Sequence, residues 1–596
     1  MGSDNRPQLN RRTLLQSIGA TSGAAMLAGC SGGGGGDGGD GGDGGGGGDG
    51  GDAGERVPAV DFHFLDFGVY ESIAPIIEGN ISDIGFDVET RGGETSAVIG
   101  NSINDAREFD MFLLGWTPSP DRLDAGPLLG QFRADWAGAN SSFNPSQYVN
   151  CDYQDLVMGQ GEASNQEERR MMVEDAQETF SQDLPVISLM TYFDGGAARS
   201  DLVDLQEVGG KAFSSYNQQV QIFSSPTDGD ELTYGVDPFV VSNVQVFNPD
   251  PLTGWWMSIP SSTLFTRDSN WELEPLLASG FEIEDEGRRL VIELRDGTFT
   301  NGDPITSQDV KFSLEYMEQY SDQFAYISEE GYSSIETPDD STVVVQFEEP
   351  NIAWVERVGA LWPIIHQGAF EEVGAAENPD NIGNFDADTF VGSGVFDLVT
   401  FVPGQQATFE GHDGHPVYPE PEHRLNYVAY QGTEAKINAL VNGEIHMTTR
   451  LTPGSFRRLG EDLEDNQLET AVADPFTNRF LAPQMSYGPS KFLEFRHAIG
   501  AAMNRREMVQ VGFDGLVDES LHCSLYALSH PWAVGEERLT KFTDDPEGDT
   551  SGASDILSEA GWVQQNGNWH YPADADLSPV WEEGEEPSPD DFPCLE

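Results

Sequence analysis

A chain of 596 residues with 38% hydrophobic residues has room for several core-bearing units. Its 102 Asp and Glu against 30 Lys and Arg give a formal net charge of -72, a field that repels nucleic acid and anionic lipid heads and argues against phosphate-binding roles. Only five of the cations are lysines, and self-repulsion on this scale is tolerable where molar salt cuts the Debye length to about 3 Å, so the composition reads as that of an extreme halophile, while 10% aromatic residues exclude a disordered acidic chain.

The first thirty residues read as an address. Asn10-Arg11-Arg12-Thr13-Leu14-Leu15 resembles a twin-arginine export signal, with the pair Arg11 and Arg12 at its centre, and a weakly apolar run follows to Ala28. Leu27-Ala28-Gly29-Cys30 resembles a lipobox in which the Cys30 thiol takes a lipid and the preceding peptide is removed. Residues 31–56 are dominated by Gly and Asp without recurring apolar positions, the composition of a tether whose reach is roughly 25 to 30 Å. Beyond the signal no run of about 18 apolar residues occurs. Cys151, Cys523 and Cys594 permit at most one disulfide and leave one thiol, and no Cys-x-x-Cys is present.

From residue 60 the pattern alternates strand and helix. Val60 to Phe67 reads as a strand, Ile73, Ile76, Ile77 and Ile81 as the inner face of a helix ending near Gly85, and Phe86 to Thr90 as the next strand. Phe109-Asp110-Met111-Phe112-Leu113-Leu114-Gly115-Trp116 continues the series, followed by a helix with Ser164 as cap and Glu167 answering it, running to Phe180, and by Asp183-Leu184-Pro185-Val186-Ile187. Phe281 to Glu284 and Leu290 to Arg295 predict a hairpin about Asp285-Glu286-Gly287. After two further turns, Thr306 and Asp309 form a capping box for a helix with Val310, Leu314 and Met317 on its apolar stripe. A helix from Glu434 to Asn442 is predicted with Thr433 as its cap.

The run Leu294 to Gly297, Phe299, Asn301 to Pro304 and Asp309 to Ser313 resembles, in order, the signature of bacterial extracellular solute-binding proteins of family 5, the peptide and nickel binding components of ABC importers. Val391-Gly392-Ser393-Gly394-Val395-Phe396, Gly443-Glu444-Ile445-His446, Arg496 to Val509 and Ala560-Gly561-Trp562 are similar to further family motifs. Phe109 to Trp116, the helix to Phe180 and Ala198-Arg199-Ser200-Asp201-Leu202 are similar to motifs that the family carries near its C-terminus, yet here they precede the opening signature.

The resemblance implies an α/β, two-lobed periplasmic-binding-protein-like fold of the class with a large extra subdomain, in circularly permuted order. The expected division is residues 1–30 signal, 31–56 tether, 57–198 first part of lobe two, 199–478 lobe one with the signature subdomain at about 271–388, and 479–596 the rest of lobe two with an acidic tail. Contacts joining residues 60–190 to 490–570 are what this order requires; the alternative is two tandem bodies split near residue 230.

It further implies a lipid-anchored, exported binding protein at the outer face of the cell membrane, a monomer that captures a small solute, an oligopeptide, and passes it to ABC permease and ATPase subunits. No nucleic acid, cofactor, metal or catalytic residue is implied. Candidate wall residues are Trp116, Asn248, Gly392, Ser393, Gly394 and Gln484, although Trp116 also suits a core and the glycines also suit a plain turn. The family's peptide binders place an Asp three residues after this Trp to pair with the peptide ammonium; here that position is Ser119, and Asp121 or Asp124 would have to substitute. Alternatives are a family 5 binder of an oligosaccharide or metal chelate, and a secreted α/β hydrolase. The sequence gives the hydrolase little: the one Gly-x-Ser-x-Gly match, Gly29 to Gly33, straddles the lipobox, and the cluster His412, His415 and His423 has no standard metal spacing.

The charge generates a direct expectation. Dialysis from molar to millimolar salt should abolish the folded circular dichroism signal, and a melting temperature independent of salt would overturn the halophile reading.

Overall fold

The computed structural model describes residues 53–65, 68–93, 109–117, 120–138, 144–205, 222–244, 257, 259–268, 271–320, 332–464, 467–473, 475–581 and 585–595. Arg11, Arg12, Cys30, most of the Gly/Asp stretch, Ser119 and Asn248 lie outside the described residues.

Alternation in Val-Asp-Phe-His-Phe-Leu produces the strand Val60–Leu65, whose Val60 and Phe62 are fully buried. The helix Val69–Asp83 lays Ile73, Ile77 and Ile81 on the same core, and Gly85, at φ 94°, turns the chain into the strand Val88–Gly93. Both strands lie within two or three residues of the positions that the sequence pattern gives. They join Met111–Gly115 in parallel. The strand Asn478–Pro483 then enters between Met111–Gly115 and Ile187–Thr191, antiparallel to both, and completes a five-stranded sheet. The core around this sheet is shared by residues 57–190 and 480–571. A boundary near residue 230 would therefore separate segments that pack into one core.

A second core occupies residues 198–447. Its seven-stranded sheet runs Phe396–Val402, Gln406–Gly411, Arg424–Ala429, Glu231–Val236, Met447–Leu451, Gly195–Ala198, Glu469–Val472. Beside it stands a four-stranded antiparallel sheet in the order Ala278–Glu284, Arg289–Leu294, Thr342–Phe347, Tyr332–Asp339, covered by the helix Ser307–Gln319. The hairpin turns at Asp285, Glu286 and Gly287, all at positive φ, with Phe281 opposite Ile292. Thr306 and Asp309 form the capping box that the sequence predicts, and Val310, Leu314 and Met317 are buried.

Three local expectations are corrected. The helix Gln166–Asp183 is capped by Asn165, whose Oδ1 accepts from the Glu168 N–H at 2.9 Å, while Ser164 bonds the Glu168 carboxylate from outside; an amide one residue later reaches the third N–H of the helix better than the Ser164 hydroxyl. The helix Thr433–Asn442 starts at Gly432, at φ 80°, and Thr433 is already inside its first turn. The last residues assigned to the tether, Ala53–Arg56, form a strand with Asn568–Pro572, because Arg56 bonds Asp87 and Asn568 and fixes the segment to the body. Among the described residues no helix is long and apolar enough to cross a membrane. Cys151 and Cys594 form a disulfide, and Cys523 is a buried thiol that burial pushes up to about 12.

The chain passes between the two sheets twice, at 192–194 and at 473–477, so the bodies form two lobes on a double connection. They also touch beside it. Trp271 of the second lobe meets Phe476 edge to face at 4.6 Å, with Leu123 of the first completing a small apolar cluster. Next to it Arg169, fully buried, pairs with Asp124, and Glu356 across the interface stands 3.8 Å from Arg169 and 3.2 Å from Arg267. Burial alone would raise the Asp124 carboxyl, but Arg169, Arg357 and the Gly126 N–H together hold it below the usual carboxylate range.

Two variants test this packing. Arg169→Met leaves Asp124 buried and unpaired and should cost about 3 to 5 kcal/mol in denaturant unfolding, whereas the double variant with Asp124→Asn, which keeps the helix cap, should recover a large part. Asp110 is buried where its carboxylate accepts from the Asp61 N–H, and desolvation outweighs that bond and raises it to about 6. A carboxyl raised in the folded state contributes stability in full below its unfolded value near pH 4 and loses it as pH rises through 6. Asp110→Asn should thus gain about 1 to 2 kcal/mol on the parent between pH 5 and pH 8, measured at constant molar salt.

Candidate functional site

Strand register locates the site. Gly115, the last residue of its strand, is paired with Arg479, the second residue after the 473–477 crossing, so the carboxyl ends of the parallel strands Val60–Leu65 and Met111–Gly115 lie at the crossing end of their sheet. In the other lobe Leu451 is paired with Gly195, the first residue after the 192–194 crossing. The parallel strands Glu231–Val236, Arg424–Ala429 and Met447–Leu451 therefore end at the crossings as well. Carboxyl ends of parallel strands, meeting where two lobes are joined, form the crevice in which α/β proteins hold ligands.

The floor of this crevice is aromatic. Phe193, on a crossing, stands between Phe456 of one lobe at 5.9 Å and Phe513 of the other at 6.2 Å, and Arg457 reaches Asp514 across the lobes at 3.6 Å. On the wall formed by the seven-stranded sheet, Asp237 follows the strand Glu231–Val236 and is shared by buried Lys436 at 3.1 Å and Arg450 at 3.5 Å. Arg450, at φ 58°, lies over the Phe239 ring at 5.1 Å. Burial pulls the Lys436 ammonium down, with Asp237 opposing.

The residues singled out by sequence separate into two groups. Trp116 is at the crevice, half-buried against Phe480 at 6.1 Å; its carbonyl accepts from the Thr477 hydroxyl at 2.6 Å, the Arg122 guanidinium is 5.8 Å from its ring, and its indole N–H is buried without a hydrogen-bond partner. Asp121 lies in the short helix Pro120–Leu123, and its side chain is not among the described parts. Asp124, 1% exposed, is committed to Arg169 and to capping the helix Ala125–Gly130 through the Gly126 N–H, so its carboxylate is spent inside the protein.

Gly392, Ser393 and Gly394 form a packing joint. A Cβ on Gly392 would stand 1.9 Å from the Pro260 carbonyl oxygen and one on Gly394 2.4 Å from that of Ile259, while buried Ser393 accepts from the Ser262 N–H and donates to the Ile364 carbonyl. Backbone approach alone demands glycine at both positions. Gln484 follows the end of the strand Asn478–Pro483 away from the crossing, where its backbone N–H bonds the Asp110 carbonyl and its side-chain Oε1 accepts from the Ser486 hydroxyl and N–H.

The three histidines serve the fold. His412 Nε2 bonds the Thr298 carbonyl at 2.9 Å, and His415 stacks on Tyr418, bonds Ser262 and accepts from the Val417 and Tyr418 N–H groups, its pKa lowered by burial to about 4. His423 packs against Phe396. Among the crevice residues that escaped the sequence reading are Arg450, whose left-handed backbone leaves no mark in composition, and Arg479, which follows Asn478 at the head of a strand whose remaining residues are apolar, the one signal available.

The profile of bacterial extracellular solute-binding proteins, family 5 Middle, matches residues 272–585, more than half of the chain. Proteins of Brucella ovis and Brucella abortus named for ABC transporter peptide binding are 23% identical over 327 residues, 54% of this chain and 59% of theirs, so the chain spans well under two thirds of the length of these relatives. Di/tripeptide-binding protein 3 of Pseudomonas aeruginosa is 24% identical over 44% of this chain and 53% of its own. Among solved structures, NikA of Brucella suis in complex with Fe(III)-EDTA is similar with a TM-score of 0.45 at 19% identity, covering 59% of this chain and 68% of that one. The extent of the profile match is what assigns the family: the chain belongs to the bacterial extracellular solute-binding proteins of family 5.

Proposed function

We propose that this protein is the substrate-binding component of an ABC importer, which captures a peptide-like solute in the crevice between its lobes and delivers it to a membrane permease. The observation that carries the reading is the convergence of the carboxyl ends of two sets of parallel strands on a double crossing, the geometry of two lobes that close on a ligand. The names of the Brucella and Pseudomonas relatives support a peptide as the cargo. Export through the Arg11-Arg12 signal, lipid attachment at Cys30, a halophilic setting and action as a monomer complete the proposal, on the sequence features already described.

We also propose that the order of segments is circularly permuted relative to the family, with lobe two assembled from residues 57–198 and 479–596 and lobe one from 199–478. Two observations support it. The profile match begins only at residue 272, and residues 57–190 share a core with 480–571. Permutation is tolerated where the new joint is an exposed polar segment, and residues 211–230 are rich in Ser and Gln.

Native mass spectrometry of the protein purified from its host in volatile salt should reveal a retained ligand of peptide mass; a retained oligosaccharide or metal chelate would replace the peptide reading. With Asp124 committed to Arg169, Asp121 is the carboxylate left to meet a peptide ammonium. Asp121→Asn should weaken peptide binding by about 1.5 to 3 kcal/mol, and equal affinity for free and N-acetylated peptides would exclude such a clamp.

A further inference from the structure

Between the lobes a bulky residue stands where the backbone asks for glycine. Trp271 lies in the turn of the hairpin formed by Phe265–Arg267 and Leu273–Pro275, at φ 66°, a left-handed conformation that is a genuine outlier for a large side chain. Glycine is the ordinary residue for such a position, and the chain has 68 of them. The conformation is held from three sides: the Trp271 N–H donates to the Asp268 carbonyl at 3.0 Å, Arg267 Nη1 donates to the Trp271 carbonyl at 2.9 Å, and the Glu272 N–H donates to the Asp268 carboxylate at 2.8 Å. Backbone strain that the surroundings hold in this way points to a mechanical role.

The ring packs outside the core of its own lobe. Trp271 is 6% exposed, and it joins Leu123 of the first lobe and Phe476 of the 473–477 crossing. Leu123 ends a segment that continues from the crevice end of the strand Met111–Gly115, so Trp271 meets the first lobe on the side that faces the second. That segment is pinned near both ends: the Trp116 carbonyl accepts from the Thr477 hydroxyl at 2.6 Å, and the Arg122 carbonyl accepts from His530 Nε2 at 2.8 Å, with the His530 ring edge to face on Phe476 at 6.3 Å. Arg267, which holds the Trp271 carbonyl, also reaches Glu356 at 3.2 Å, and Glu356 faces the fully buried Arg169 of the first lobe. The strained turn, the apolar contact and the ionic chain therefore converge on one place. Parting the lobes there separates Trp271 from Leu123 and Glu356 from Arg169 together.

We propose that Trp271 is an interlobe latch: a side chain presented by a strained turn of one lobe, which locks on Leu123 and Phe476 when the lobes are together and sets how tightly the crevice holds a solute without touching it. This rests on the reading of the protein as two lobes that close on a solute. The control works by population. A solute binds the joined lobes, so its apparent affinity is the intrinsic one scaled by the fraction of molecules that are joined, and a contact present only in that state raises the fraction. Strain and contact can be separated by substitution, because glycine at 271 relaxes the turn and removes the ring, whereas alanine removes the ring and keeps the strain.

The test uses the full-length protein in molar KCl, spin-labelled at Ser334→Cys and Asp555→Cys, exposed positions on the two lobes, and reads the interlobe distance by pulsed electron resonance. The parent should give one narrow distance. Trp271→Ala and Trp271→Gly should both spread it towards longer separations, raising the ratio of parted to joined lobes about tenfold or more, and Trp271→Phe should keep part of the latch. Leu123→Ala should act likewise from the other lobe, and adding it to Trp271→Ala should change little more, as two residues that work through one contact must. Should Trp271→Ala fail to fold, Trp271→Gly and Leu123→Ala carry the same comparison. Unchanged distances in these variants would overturn the latch, and so would single effects that simply add in the double variant. Calorimetric titration with tri-alanine separates this proposal from the function it rests on: parted lobes with binding weakened about tenfold uphold both, and parted lobes with no binding of tri-alanine to the parent uphold the latch and remove the peptide. Equal or tighter binding by Trp271→Ala would refute the control of affinity.

Discussion

The rest of the molecule depends on the insertion of one late strand between two early ones. Asn478–Pro483 supplies the hydrogen-bonding edge for Met111–Gly115 on one side and Ile187–Thr191 on the other; without it the first lobe would be a three-stranded parallel sheet and an isolated strand, each with an open edge. The same insertion fixes the geometry of the crevice. Because the strand starts directly at a crossing, its first residues face the other lobe and its last ones cannot. It also brings Arg479 to the floor and Phe480 to the core on alternate sides of one ribbon.

Around that insertion the lobes are held by unlike means. The outer parts of each are conventional apolar cores, with isoleucines at helical spacing in Val69–Asp83 and alternating residues in the strands. The interface combines a small apolar contact, Trp271 on Phe476, with a buried ionic chain from Asp124 through Arg169 and Glu356 to Arg267. Such a chain specifies one relative placement of the lobes sharply and contributes little net stability, since desolvation offsets much of the attraction.

What could be read from the sequence was what is local or periodic. The Thr306 and Asp309 capping box, the hairpin about Asp285 to Gly287 and the isoleucine face were legible because each is decided within a few residues. The site was less so, for reasons visible in individual residues. A glycine required by the approach of the Pro260 carbonyl looks the same in sequence as one required by a ligand, so the packing role of Gly392 and Gly394 could not be read there. Alternation tells which face of a strand is buried but not which end meets the other lobe, so the place of Gln484 beyond the end away from the crossing was not legible. Asp124 offered a plausible charge whose partner, Arg169, is 45 residues away in sequence.

The position of Asn478–Pro483 late in the chain has a consequence for biogenesis. As the polypeptide leaves the ribosome, residues 57–191 emerge first but cannot close their sheet until nearly three hundred further residues have been made. The 198–447 core holds all its own residues and can condense before then, so the lobe begun first is finished last. The Cys151 to Cys594 bond ties the same lobe to a segment later still, 443 residues beyond its first cysteine, so that its covalent closure waits on residues made well after Asn478–Pro483.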